Sequence, residues 1–173
     1  MSEKQPKITF QEIAEKAQQM TLEQGSHVPM LMVEGDKEVA VCHVAEIADT
    51  AEGRAGQMLM IGEMLAGSID FGVLQQVLFV TEGWMSVVDD GKIPDTPPSQ
   101  APQRLEVLTV SGLDMGTGKT QMQVFEMQRN DDGKLQSLDT PARLPQTETT
   151  EADSPLLTAF VIGFLGFMQG DHD

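Results

Sequence analysis

The residues of this 173-residue chain whose types could do chemistry together lie in two neighbouring segments. Glu82 and Trp84 end an apolar run, and Arg104 and Glu106 follow a Pro-rich stretch. A loop there would return one strand beside the other and gather the four side chains near one edge of a sheet. Two carboxylates can divide into general acid and general base where burial separates their pKa values, and a Trp beside them can hold a ligand.

A structural explanation competes with this one. Arg104 would form an ion pair with Glu82 or Glu106 that fixes the register of the strands, and Trp84 would fill the core. Structural ion pairs are commoner than active sites, so the structural explanation is favoured. The four residues stay a candidate ligand-binding site, and no catalytic residue is predicted.

Two other motifs are better explained by a turn and a strand. The segment from Gly116 to Thr120 (GTGKT) ends like a phosphate-binding loop, but Leu113 stands where the full pattern requires glycine. The residues that follow have β character instead of opening a helix, so we expect a hairpin turn. Cys42 lies inside a predicted strand, where we expect a buried, inert thiol.

A metal site would most naturally recruit His27 and His43. If the intervening hairpin pairs Glu34 with Lys37, the two imidazoles point to opposite faces of the sheet and cannot share an ion. No zinc-type ligand spacing is present. The sequence therefore predicts no metal site and no cofactor.

The corner around Trp84 also carries a resemblance. The segments VLFVTEGWMS, from Val77 to Ser86, and PSQAPQRLEVL, from Pro98 to Leu108, resemble a pattern in small uncharacterised proteins of bacteria and mobile elements. The pattern spans about a fifth of the chain. That family has no assigned activity, so the resemblance implies only that this corner is the part such proteins share.

The elements that position these residues follow the order αββαβββα. Hydrophobic periodicity predicts helices over 9–24, 50–67 and 154–168, strands over 28–33, 39–44, 73–88, 105–111 and 120–128, and a short β-like run over 134–138. This order predicts an α+β fold with a five-stranded, mostly antiparallel sheet flanked by helices. Profilin-like and roadblock-like architectures are analogous, but the analogy implies no function.

Residues 1–173 are predicted to form a single domain, because domains usually run to roughly 100–200 residues. Prolines make residues 89–103 an exposed loop, and the polar, acidic residues 140–153 a surface linker. Pro29 indicates that the first strand either is an edge strand or begins at that residue.

The C-terminal helix is apolar on every side. About 14 residues at about 1.5 Å each are too short for a hydrocarbon layer of roughly 30 Å, so no membrane span is expected. Such a helix must be buried all round, and one sheet covers one side of it. We therefore expect a homodimer, with five candidate interface residues: Leu157, Phe160, Val161, Phe164 and Phe167.

Charge narrows the choice of partners. Eleven basic residues against 27 acidic ones give a net charge of -16, which disfavours binding to nucleic acid and to anionic membranes. No apolar run follows the first residues, so we expect no secretory signal and a cytoplasmic location.

These patterns predict an acidic protein-interaction module that is not an enzyme and that self-associates, with an unidentified protein as a further partner. Two alternatives stay open. One is a small-molecule binder or acid–base enzyme that uses Glu82, Trp84, Arg104 and Glu106. The other is an acidic mimic of the nucleic-acid backbone that binds a basic protein.

Overall fold

In the part of the chain that the structure describes, six strands form one antiparallel sheet that is covered by helices on both faces. The computed structural model describes residues 8–86, 96–142 and 154–170. Its helices are α1 (Phe10–Gln24), α2 (Ala51–Ser68) and α3 (Pro155–Gln169), and Pro98–Gln100 form one 3-10 turn. Its strands are β1 (Met30–Gly35), β2 (Val39–His43), β3 (Leu74–Ser86), β4 (Arg104–Asp114), β5 (Thr120–Arg129) and β6 (Leu135–Asp139).

The strand order is β2-β1-β3-β4-β5-β6, and every neighbouring pair is antiparallel. The predicted α+β architecture is confirmed, with one strand more than the predicted five. The additional strand is β6, which forms at the short run predicted over 134–138 and pairs with β5. β1 is an inner strand that begins directly after Pro29, so the missing N–H of that proline interrupts no ladder.

The helix ends form where the sequence predicts them. Thr9 and Glu12 form a capping box at the start of α1, and Gly25 ends the helix with φ of 79°. The hydroxyl of Thr50 accepts a hydrogen bond from the N–H of Gly53 and caps α2. Ser154 precedes α3 but makes no side-chain cap, so Pro155 at the first helical position is the start signal there.

The two faces of β3 contribute side chains to two separate hydrophobic cores. Leu78 and Val80 pack with residues of α1, whereas Val77 and Phe79 pack with residues of α2 and α3. All four side chains are buried. This run, apolar on both faces, is therefore a central strand covered from two sides.

Helices α2 and α3 meet at two glycines. A Cβ at Gly62 would clash with the backbone of Phe160, and a Cβ at Gly163 would clash with the backbone of Leu59. The helix axes can approach this closely only because both positions lack side chains. The contact fixes α3 on the sheet and determines which of its sides is exposed.

Some predictions concern residues that are not described. Residues 89–95 of the predicted Pro-rich loop and 143–153 of the predicted linker lie outside the described ranges. None of the described helices combines the length and the apolar character needed to cross a membrane.

Candidate functional site

The structure brings the four residues of the predicted corner onto one face of the sheet. Trp84 on β3 pairs directly with Glu106 on β4. Glu82 and Arg104 stand two residues from this pair, opposite Leu108 and Ser86 respectively, so their side chains share its face. We call this group, with the residues that contact it, the strand corner.

Arg104 and Trp84 contact each other at the exposed side of the strand corner. The guanidinium carbon lies 4.6 Å from the centroid of the indole ring, and Nη1 donates a hydrogen bond of 2.5 Å to the carbonyl oxygen of Ser99. Trp84 is 45% exposed. The predictions that Trp84 fills the core and that Arg104 pairs with a carboxylate are both wrong.

The ion pair of the strand corner joins Glu106 to Arg129, a residue that the sequence analysis missed. Arg129 Nη2 and Nε lie 2.8 and 2.9 Å from the two carboxylate oxygens, and both side chains are mostly buried. Arg129 Nη1 also donates to the carbonyl oxygens of Gly25 and Gly133. Hydrogen bonds to Glu106 raise the pKa of Arg129, so the pair stays charged.

Arg129 was not predicted as part of the site because it lies one residue beyond the end of the predicted strand. β5 runs to Arg129, whereas the periodic pattern was followed only to residue 128. In the β4–β5 register, Val107 pairs with Glu126, which places Arg129 on the same face as Glu106. A strand extended by one residue would include Arg129, but its pairing with Glu106 depends on the β4–β5 register.

Glu82 is tied to the segment between α1 and β1. One of its carboxylate oxygens accepts a hydrogen bond from the backbone N–H of His27. Burial raises the pKa of Glu82 and the negative charge of Glu106 raises it further, while the His27 N–H and Arg129 partly offset the rise. Glu82 thus takes up a proton more readily than an exposed glutamate does.

His27 is more than nine-tenths buried, and neither of its ring nitrogens has a hydrogen-bond partner among the described residues. Burial lowers the pKa of His27, and the charge of His43 lowers it further. The β1–β2 register pairs Glu34 with Val39, two residues away from the predicted pairing, and His27 precedes β1. The predicted pairing of Glu34 with Lys37 is therefore wrong, but a shift of two residues leaves the sheet faces unchanged, so the separation of the two imidazoles on opposite faces stays a prediction.

The strand corner consists of two structural contacts and two desolvated titratable groups. Arg104 and Glu106 are engaged with Trp84 and Arg129, whereas Glu82 and His27 are both shifted toward their neutral forms. Glu82 binds the backbone N–H of His27, and the ring nitrogens of His27 have no hydrogen-bond partner among the described residues, so the two groups are not placed to exchange a proton directly. Within the described ranges, no three His, Cys, Asp or Glu side chains are grouped to hold a metal ion.

Two further sequence motifs adopt the predicted local structure. Residues 115–119 form the β4–β5 turn, in which Gly118 has φ of 67° and Asp114 accepts from the N–H of Thr117. Cys42 lies in β2 as predicted, but its thiol is half-buried and not fully buried as expected; burial still raises its pKa, which reduces its nucleophilicity.

A second candidate site lies on the outer side of α2 and α3. Of the five predicted interface residues, Leu157, Phe160 and Phe164 are buried in the core of the protomer, and Val161 and Phe167 are half-buried. Five other large apolar side chains are exposed on these two helices: Met60, Met64, Ile162, Leu165 and Met168. We call these five the helix-layer patch.

Comparisons of the chain with protein-family models, with curated proteins and with solved structures find no match. The resemblance of the segments around Trp84 to uncharacterised bacterial proteins stays a prediction.

Proposed function

We propose that this protein is a self-associating protein-interaction module without enzymatic activity, and that the helix-layer patch is where two copies meet. The observation that carries the proposal is the exposure of this patch. Met60 is 67% exposed and Ile162 59%, on two helices whose opposite sides are fully buried. Several exposed apolar side chains on two packed helices are typical of protein interfaces.

The chemistry of α3 favours a second copy over a charged partner. The helix has no charged residue in 15 positions, in a chain whose net charge is -16. Two such acidic molecules repel each other over most of their surface, so a close approach is least unfavourable where charge is absent.

Projecting side chains and open glycine positions on the same two helices support a two-fold interface. In such an interface the same surface must supply both projections and hollows. Exposed Met60 and Ile162 project, while Gly56 and Gly166 on the same two helices have no atom within 4 Å of the position of a Cβ. A side chain of one copy can therefore fit over a glycine of the other.

Buried residues of α3 hold the patch in place. Phe160 and Phe164 stack with ring centroids 6.0 Å apart, and Phe164 meets the ring of Phe71 edge-on at 5.7 Å. α3 therefore cannot turn its exposed side inward without losing these contacts. The patch is presented to solvent in a fixed orientation, which lowers the entropic cost of association.

The test is sedimentation velocity of the unmodified chain and of a Met60→Glu, Ile162→Glu double variant between about 1 and 100 μM. A two-fold interface contains each substitution twice, so we expect the dissociation constant to rise at least about tenfold, equivalent to about 1.4 kcal/mol. Leu22→Glu is the matched control, because Leu22 is an exposed apolar helical residue on α1, across the sheet.

An unmodified chain that is monomeric over this whole range would overturn the proposal. Equal weakening by the double variant and by Leu22→Glu would overturn the location of the interface, because Leu22 lies outside the helix-layer patch.

A further inference from the structure

The outer edge of β2 has unpaired main-chain groups. The N–H of Val44 donates to the carbonyl of Pro29 at 2.8 Å, and the N–H of Gly35 donates to the carbonyl of Glu38 at 2.9 Å. Hydrogen-bonding direction alternates along an antiparallel strand, so Val39, Val41 and His43 point their N–H and C=O groups away from β1. Among the described residues, no strand lies on that side of β2.

β2 contains neither the proline nor the charged side chains that commonly prevent edge strands from pairing. Its sequence VAVCH contains no proline and no Lys, Arg, Asp or Glu, and Val41 is 54% exposed. The other outer strand of the described sheet, β6, ends in Asp139 and is followed closely by Pro141. The two edges therefore differ in their capacity to accept another strand.

We propose that β2 of a second copy pairs antiparallel with β2, with the two-fold axis at Val41. In this register Val41 faces its own equivalent, and Val39 of each copy faces His43 of the other. The three outward-pointing residues of each strand then form six main-chain hydrogen bonds, and two six-stranded sheets become one. This inference rests on the proposed self-association and specifies its geometry.

The position of α2 brings part of the helix-layer patch close to the proposed pairing of the two β2 strands, which we call the β2 seam. The side chain of Gln57 donates to the carbonyl of Glu46 at 2.5 Å and accepts from the N–H of Ala48 at 3.2 Å. This flank of α2 therefore lies beside the chain that leaves β2. Met60 and Met64 follow Gln57 by three and seven positions, on the same flank, so they are placed to meet the second copy over the seam.

A second copy fits the edge because β2 is complementary to itself. In the two-fold register, Val41 packs against Val41, and the small side chain of Ala40 lies opposite Cys42 on the other face. No like charges are brought opposite each other within the five paired residues, since β2 carries none. A charged residue at position 41 would instead face its own like-charged equivalent on the two-fold axis.

The test is disulfide trapping in a Cys42→Ser background, so that the introduced cysteine is the only one. Val41→Cys places two thiols directly across the two-fold axis, within disulfide reach. Val73→Cys is the control, because Val73 is 69% exposed, more than Val41, and lies outside β2. Under mild oxidation we expect at least tenfold more covalent dimer from Val41→Cys than from Val73→Cys.

A second variant tests the hydrogen bonds of the seam. Val41→Pro removes an N–H that points away from β1, so we expect a monomer with an unchanged circular dichroism spectrum. Should Val41→Pro not fold, the disulfide yields decide the question by themselves.

The outcomes separate this inference from the proposed function. A dimeric unmodified chain with equal disulfide yields at positions 41 and 73 would overturn the β2 seam and leave self-association standing. An unmodified chain that stays monomeric would overturn both.

Discussion

Two arginines occupy the strand corner in different environments. Arg129 is mostly buried and donates to Glu106 and to two backbone carbonyls, which joins β4 and β5 to the end of α1. Arg104 is exposed and stacks on Trp84. Removing one partner of a mostly buried ion pair leaves an uncompensated charge, which costs stability. An exposed cation–π contact contributes little to the free energy of unfolding. The two arginines should therefore contribute unequally to stability.

We therefore predict that Arg129→Ala lowers the free energy of unfolding by about 2–3 kcal/mol, and that Arg104→Ala lowers it by about 0.5–1 kcal/mol. Urea denaturation followed by Trp84 fluorescence and by circular dichroism measures both; the second probe matters because Arg104 contacts the indole. Equal losses for the two variants would show that the Glu106–Arg129 ion pair stabilises the protein no more than the contact of Arg104 with Trp84 does.

His27 and Glu82 give the stability of the protein two opposite dependences on pH. The folded-state pKa of His27 lies below its ordinary 6.5, so as the pH falls through 6.5 the unfolded chain is protonated first and stability is lost. The folded-state pKa of Glu82 lies above its ordinary 4.5, so acidification toward 4.5 protonates the folded state first and stability is gained.

Substituting His27 and Glu82 separately should reveal the two opposite dependences of stability on pH. We predict that His27→Phe makes the protein more resistant to acid between pH 7 and pH 5 than the unmodified chain, relative to each protein's stability at pH 8. Glu82→Gln keeps an acceptor for the His27 N–H and should make the chain less resistant over the same interval. Urea unfolding midpoints measured across this pH range test both predictions. Parallel pH profiles for all three proteins would contradict the effects assigned to His27 and Glu82.

At the scale of elements, the crossing of α2 and α3 depends on two glycines and tolerates change at a third. Gly62→Ala or Gly163→Ala would push a methyl group into the backbone of the opposite helix, and we expect a loss of about 1–3 kcal/mol in unfolding free energy. Gly56→Ala is the control, because open space surrounds its position in the single chain, and at protein concentrations too low for association it should stabilise by about 0.5–1 kcal/mol. Thermal unfolding of the three variants measures these effects. Melting temperatures that all shifted in the same direction would contradict this account.

Elements defined by local interactions were predictable, and contacts that depend on strand register were not. The capping box of Thr9 and Glu12, the cap at Thr50 and the apolar run of β3 follow from neighbouring residues. The Glu106–Arg129 pair depends instead on the β4–β5 register, across 23 positions of sequence. Which side of α3 stays exposed depends on Gly163, whose role appears only when α2 is in place.

At the scale of the whole molecule, net charge opposes the association that the helix-layer patch and β2 favour. Two copies at -16 each repel over long range, and salt screens this repulsion while leaving apolar and main-chain contacts nearly unchanged. We predict that raising NaCl from about 20 to about 300 mM, which shortens the screening length from roughly 20 to 6 Å, lowers the dimer dissociation constant by about 3–10-fold. The Met60→Glu, Ile162→Glu variant should stay monomeric at the higher salt, which distinguishes screening from salt-induced aggregation. Association that weakens with salt would mean that opposite charges hold the copies together, and the apolar interface would have to be abandoned.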